Sequence, residues 1–328
     1  MKIIKPSAEV MKHDTDIYSF IERVGRTCYK SEDKIAEGTA KKFVTQLVKN
    51  GHLAVCECEY LYFFFKDYND IIGFMTRFIV PDSNSYKLLK HINISEQFLS
   101  GNIRAWIEFF ENVHDISQRF DIGYEIYAWM LNLCHINFES LFPLYDDWKY
   151  EQYEDISLVS RKDFIEAVKE NNTYPDLVFK NLLPHTIKFV ADRGFLAEIT
   201  RHRLASFAAE STRYVNYSKG KYGSEITVIE PLFYKPYSQE YLDWKNSCEQ
   251  AEQAYMNLLS YKSIPQEART VLPQSTKTEV IVTATEEEWQ HIINLRYHGT
   301  TGKPHPQMLE VMEMAYPLLT EESEGRLK

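Results

Sequence analysis

Residues 185–214 read HTIKFVADRGFLAEITRHRLASFAAESTRY. His185 to Ala191 is a short, β-branched and aromatic run and predicts a strand. Beyond it, Arg201, His202, Arg203 and Arg213 fall within thirteen positions that hold a single acid, Glu210. Taken as a helix, this segment stacks His202, Ser206, Ala209 and Arg213 nearly above one another, with Arg201, Ala205, Ala208 and Thr212 beside them. Small side chains in mid-stripe let a flat ligand or another helix approach the backbone. Arginines at the ends can clamp a phosphate bidentately. A solvated basic helix face with an alanine packing edge has the same spacing. Neither GxGxxG nor GxxxxGK[ST] occurs, so a nucleotide here must be held by side-chain cations rather than a glycine cradle.

Working outward, Lys277 to Thr283 and Glu225 to Glu230 predict further strands, and Tyr60 to Phe65 (YLYFFF) a buried one. Apolar residues three and four apart predict helices over Ile17–Arg26 and Thr39–Asn50, the second stopped by Gly51. Helices are also expected over Ser238–Tyr261, Glu286–Arg296 and Pro306–Leu319, the first capped by Ser238. Gly101 to Asn172 reads as mainly helical, Leu141 to Ser157 as an exposed loop or lid, and Pro81 to Asn84 as a turn. Strands interleaved with long helices, without regular βαβ units, predict an α+β fold: a central antiparallel sheet flanked by long helices.

The chain has 328 residues, 44% of them hydrophobic, with 22 Tyr and 19 Phe. That is core material for a globular protein and excludes disorder as the main theme. A net charge of −10 argues against a nucleic-acid binder. No run approaches the roughly 18–20 apolar residues of a membrane span. Five scattered cysteines and no secretory h-region predict free thiols and a cytoplasmic location. Cys56, Cys58 and His52 lack a fourth ligand at usable spacing, so no metal is expected.

Arg-His-Arg, seven residues, then Ser211 resembles the motif of the flavin-dependent thymidylate synthases. RHRLASFAAESTRYVNYSKGKYG is similar to the family over its whole length. So are GRTCYKSEDKI with GHLAVCECE, FVADRGFLAEITRHR, and QEARTVLPQSTKTEVIVTATEEEWQHIINLR followed by HPQM. The resemblance covers roughly residues 1–65 and 185–318. It implies a single domain over 1–328, with 66–184 a mainly helical insertion relative to shorter members.

The resemblance also implies a reaction. The family converts dUMP to dTMP with methylenetetrahydrofolate as carbon donor and reduced FAD, fed by NADPH, as hydride source. Carried over, His52, Arg201, His202, Arg203 and His291 would contact FAD. Glu198, Ser211, Thr212, Arg213, Tyr214, Arg269 and Arg296 would hold dUMP. Arg213 and Arg296 would also polarise the pyrimidine as charge develops. Ser211 has no base beside it in sequence and is expected to hold nucleotide rather than attack it. The partners implied are small molecules and further copies of the chain, in a homotetramer with shared active sites. Two other functions fit the same residues: a non-catalytic flavin- or nucleotide-binding relative, and an enzyme acting on another pyrimidine nucleotide. The cysteine-dependent thymidylate synthases are excluded, because no cysteine here follows a proline.

The chain departs from the family pattern at Cys58, Ala208, Ala209, Thr285 and Glu287, where members commonly carry hydrogen-bonding groups. The inserted string Ser100-Gly101-Asn102-Ile103-Arg104-Ala105-Trp106 resembles text found near the carboxy terminus of other members. Two roles are open to it. It could supply the missing polar contacts as a lid, or it could be a helix start with Asn102 as cap and Trp106 in the core.

Overall fold

The computed structural model describes residues 1–13, 16–67, 71, 91–118, 125–213, 215–218 and 225–328. In chain order the helices are α1 (Ile17–Tyr29), α2 (Thr39–Lys49), α3 (Ile103–Ser117), α4 (Glu125–Phe138), α5 (Arg161–Asn171), α6 (Pro175–Leu182), α7 (Arg193–Ile199), α8 (Gln239–Ser260), α9 (Glu286–Arg296) and α10 (Pro306–Glu322), with shorter pieces between them. The strands are β1 (Lys2–Ile4), β2 (Ser7–Val10), β3 (Tyr60–Phe65), β4 (Ile92–Ser95), β5 (Phe98–Asn102), β6 (Ile156–Val159), β7 (Pro184–Asp192), β8 (Ser206–Ala209), β9 (Thr227–Ile229) and β10 (Lys277–Thr285).

The central sheet has the order β2-β7-β10-β8 and is antiparallel throughout. Its spine is the β7–β10 pair, in register from Lys277 opposite Asp192 to Thr285 opposite Pro184. Successive side chains of a strand point to opposite faces. One face therefore carries Ile187, Phe189, Ala191, Val280, Val282 and Ala284, packed under α9 and α10 with Trp289, Ile292, Ile293 and Met312. Burying each large apolar side chain there stabilises by about 1.5–3 kcal/mol. The other face carries Thr186, Lys188, Lys277, Glu279 and Thr283, and meets α1 and the 3-10 run Leu53–Cys58.

A second antiparallel sheet, β4-β5-β3-β6, stands beside it. Leu61, Phe63, Phe65 and Leu99 point into a core with α1, α3 and α4. Tyr60, Tyr62 and Phe98 point into another with α5 and α6. Cover on both faces explains why YLYFFF lacks an apolar–polar alternation. The 66–184 stretch is thus helical in large part, but it also brings three strands that close a sheet with β3.

Two expectations are corrected. Leu141 to Asp155 is irregular backbone as expected, but Ile156 and Ser157 begin β6, and Leu141, Phe142 and Trp148 are buried and tie the segment to the core. The basic segment is not a helix. After α7 the chain reverses at residues 201–205 and runs back as β8, pairing Ser206 with Thr283 and Ala209 with Val280. A ladder to the exposed side of β10 outweighs the helical spacing of its alanines. The expected turn at 81–84 lies outside the described residues.

Candidate functional site

Asp192 ends β7 and caps α7, accepting from the Phe195 amide at 2.7 Å and from Gln307 Nε2 at 2.8 Å. That fixes where α7 begins, and Arg201, His202 and Arg203 follow its last residue, Ile199, at the reversal. Backbone bonds from Arg201 N to Glu198 O and from Ala205 N to His202 O hold it. The turn presents Arg201 and Arg203 to solvent and buries His202 between them. Neither arginine has an ion pair among the described residues.

Arg296, in the last turn of α9, closes this group. Its Nε donates to His202 Nε2 at 3.0 Å, and its Nη1 meets Glu198 Oε2 at 3.0 Å. His291 lies with its ring centroid 5.7 Å from that of His202. Burial, then the Arg296 charge and His291, lower the His202 pKa to about 4. An imidazole that accepts from a guanidinium must be unprotonated at that nitrogen, so geometry and electrostatics agree on a neutral ring.

The other end of β8 builds a second group. Glu210 is buried; its amide donates to Glu279 O at 2.8 Å and its carboxylate accepts from Lys277 Nζ at 2.9 Å. Ser211 N donates to Cys28 O, which ties the turn to the end of α1. Thr212 is buried and its hydroxyl accepts from Arg269 Nη1 at 3.2 Å. Arg213 is exposed beside it. His52 is exposed and bonds through Nδ1 to Tyr29 Oη at 2.8 Å, next to Cys28 in the chain. Tyr214 lies outside the described residues.

Of the expected contacts, the structure brings together Glu198, His202, His291 and Arg296, and separately Thr212 with Arg269 and Ser211 with the α1 end near His52. It divides them differently from the expected flavin and nucleotide sets. Glu198 and Arg296 sit with His202, while His52 sits toward Ser211. Three steps of roughly 3.3 Å from Ser206 to Ala209 put about 10 Å of β8 between the two groups.

Sequence reasoning missed the charged hub beneath the second group. Lys30, Lys188 and Lys277 all pair with Glu279, Lys188 at 3.2 Å. Burial alone would raise the Glu279 pKa, but Lys277 and Lys30 hold it down at about 2. Lys30 reaches in from the left-handed cap of α1, at φ 51°. The available signal was the alternation Lys277-x-Glu279 on a strand otherwise made of apolar and Thr residues.

The departures have plain places. Ala208 is buried against the core that holds Cys58 and Ile281, and Glu287 faces Lys180 at the surface. Burial pushes the Cys28 and Cys56 thiols up to about 12. Asn102 caps α3 by accepting from the Ala105 amide at 2.8 Å, and Trp106 is fully buried. Of the two roles open to the inserted string, this is the helix start. Arg104 bridges Glu57 at 2.7 Å and Glu108 at 2.6 Å.

Residues 181–321 match the thymidylate synthase complementing protein family. That segment is 141 of the chain's 328 residues. It holds β7, α7, β8, β10 and α9, and with them every member of both groups except His52 and the α1 end. The chain is 25% identical over 165 residues to a flavin-dependent thymidylate synthase of Thermococcus onnurineus, covering 49% of this chain and 64% of that one. It is 24% identical over 190 residues to one of Pyrococcus abyssi, covering 57% and 72%. A solved structure, the UMP/dUMP methylase PolB of Streptomyces cacaoi bound with 5-Br dUMP, is 22% identical with a TM-score of 0.35, covering 51% and 81%.

Proposed function

We propose that the chain is a flavin-dependent thymidylate synthase that methylates dUMP to dTMP. One observation carries this reading. Within the family segment, an acidic chain sets exposed arginines at both ends of one short strand, Arg201 and Arg203 around a neutral His202 at one end and Arg213 beside Arg269 at the other. Exposed guanidinium groups fit an anionic dinucleotide or nucleotide, and Arg201 and Arg203 make no ion pair among the described residues.

FAD fits the first group. Arg201 and Arg203 would hold its diphosphate, His202 and His291 would lie along it, and His52 would meet it from the second group. FAD, when bound, supplies the hydride chemistry. The chain supplies position and charge. Arg213, Arg269, Ser211 and Thr212 would hold the nucleotide, with Tyr214 after them, while Arg296 and Glu198 would close on it from the His202 side. Arg213 and Arg296 would polarise the pyrimidine carbonyls as negative charge develops there. Because β8 separates the groups, a site assembled from two ends on different copies suits this geometry, and we take the assembly to be a homotetramer. Methylenetetrahydrofolate as carbon donor, NADPH as reductant and a cytoplasmic location complete the proposal. Among the described residues, no helix is long and apolar enough to cross a membrane.

The test is tritium release from 5-labelled dUMP, which should require methylenetetrahydrofolate, FAD and NADPH together. Arg213→Ala should abolish it while leaving most flavin binding, read from flavin absorbance on the purified protein. Full turnover by this variant at low dUMP would overturn the nucleotide assignment. Flavin and dUMP binding without any tritium release would point instead to a non-catalytic relative or to another pyrimidine substrate.

A further inference from the structure

A cavity of about 660 Å³ lies away from both groups, where β3 and β6 of the second sheet meet the start of α5. Ile17, Leu61, Phe138, Leu158 and Ile165 give it an apolar wall, and Arg161 lines it as well. A smaller cavity of about 240 Å³ shares His13, Arg161, Ile165 and Lys169 with it and reaches Lys12. The larger volume falls within the range of roughly 300–1,000 Å³ typical of small-molecule sites.

Among the described residues, most ionisable side chains around the larger cavity face a partner. His13 meets Glu59 at 3.0 Å, Lys169 meets Glu324 at 2.6 Å, and Lys162 faces Glu166 at 3.7 Å. Arg161 has no carboxylate partner among the described residues. Its Nη1 donates to Tyr62 Oη at 3.0 Å and its Nη2 to Pro184 O at 2.7 Å. Those bonds use two of the five N–H donors of a guanidinium and fix its plane, leaving donors for an acid. Arg161 is also the first residue of α5, where the helix dipole favours negative charge.

We propose that this cavity binds an amphipathic organic anion. Its carboxylate or related acidic head pairs with Arg161, and its apolar body lies against Ile17, Leu61, Phe138 and Leu158. The unused donors of Arg161 favour an acidic head, and the wall favours a hydrocarbon or aryl body over a sugar. The site spans the seam between the two sheets, since Pro184 begins β7 and Tyr62 belongs to β3. It does not rest on the proposed activity, because none of the residues in the two groups flanking β8 lines it.

The test is calorimetry on the full chain with 4-phenylbutyrate, 4-phenylbutanol and 4-phenylbutylamine. The acid should bind saturably at one site, at least tenfold tighter than the alcohol, and the amine should not bind. Ile165→Trp, which fills the cavity, should abolish binding, and Arg161→Gln should bring the acid down to the affinity of the alcohol. Equal affinity of acid and alcohol would overturn the proposal, as would absence of saturable heat or undiminished binding by folded Ile165→Trp. Competitive displacement by FAD or dUMP would also overturn it, since the acid would then occupy the other site. The acid-to-alcohol comparison on the unmodified chain decides even if both variants fail to fold.

Discussion

The two four-stranded sheets share one plan. Each is antiparallel, ordered β8-β10-β7-β2 in one and β4-β5-β3-β6 in the other. In each, an inner strand (β10 or β5) runs directly into a helix, α9 or α3. The first helical amide donates back to the residue preceding the partner strand, Glu286 N to Leu183 O and Ile103 N to Glu59 O. The fourth helical residue is a fully buried tryptophan, Trp289 or Trp106. What differs is the polar content. The sheet in the matched segment carries a charged face and two arginine-lined turns, whereas the second sheet packs an apolar core on each side. A common frame is therefore compatible with very different chemistry, and the chemistry resides in what the frame leaves uncovered.

The comparison can be broken most forcefully at Glu279, which has no counterpart in the second sheet. Glu279→Gln leaves three lysines around a neutral amide and should cost about 3–5 kcal/mol, the usual penalty for halving a buried ion pair. Urea unfolding measures it; a loss under about 1 kcal/mol would mean that solvent screens the hub. Next come the tryptophans. Trp289 Nε1 donates to His185 O at 2.9 Å, while Trp106 Nε1 is buried with no hydrogen-bond partner among the described residues. Trp289→Phe should thus exceed Trp106→Phe by about 1 kcal/mol or more, through the orphaned carbonyl.

Acid should also tell the sheets apart. His202 is held neutral by the fold, with a pKa below that of a free imidazole. Its stabilising contribution is complete above about pH 6.5 and is lost as pH falls toward 4. Glu279, held near 2, adds a second loss between about pH 4.5 and 2. Melting temperature against pH should show both steps, and His202→Gln should flatten the upper one. The smallest effect is at the helix caps. Asn102→Ala removes a side-chain cap and should cost about 1 kcal/mol, whereas Thr285 makes no such bond and Thr285→Ala should be close to neutral.

Much of this frame was legible in sequence. Tyr60–Phe65 and Glu286–Arg296 were read with their observed limits, because a continuous aromatic run and a helical stripe leave little choice. Strand β5 was not, since Phe98 to Asn102 ends in Ser-Gly-Asn and looks like a turn. Gly101 sits in a strand because a Cβ there would lie 2.8 Å from His91 O, on the close-packed β4 side. The basic segment misled for a related reason: its alanines satisfy helical spacing and a crowded strand equally well. The site residues came from the motif, but their grouping did not, because which arginine meets which partner is decided by strand register and helix ends rather than by order along the chain.

The Glu279 hub has a kinetic consequence as well. One carboxylate gathers lysines from α1, β7 and β10, and Lys188 passes the link to Glu9 on β2 at 3.3 Å. Segments far apart in the chain are fastened at a single point, so their amides should exchange with deuterium as one cooperative unit, slower than the β1–β9 ribbon, which lies outside that fastening.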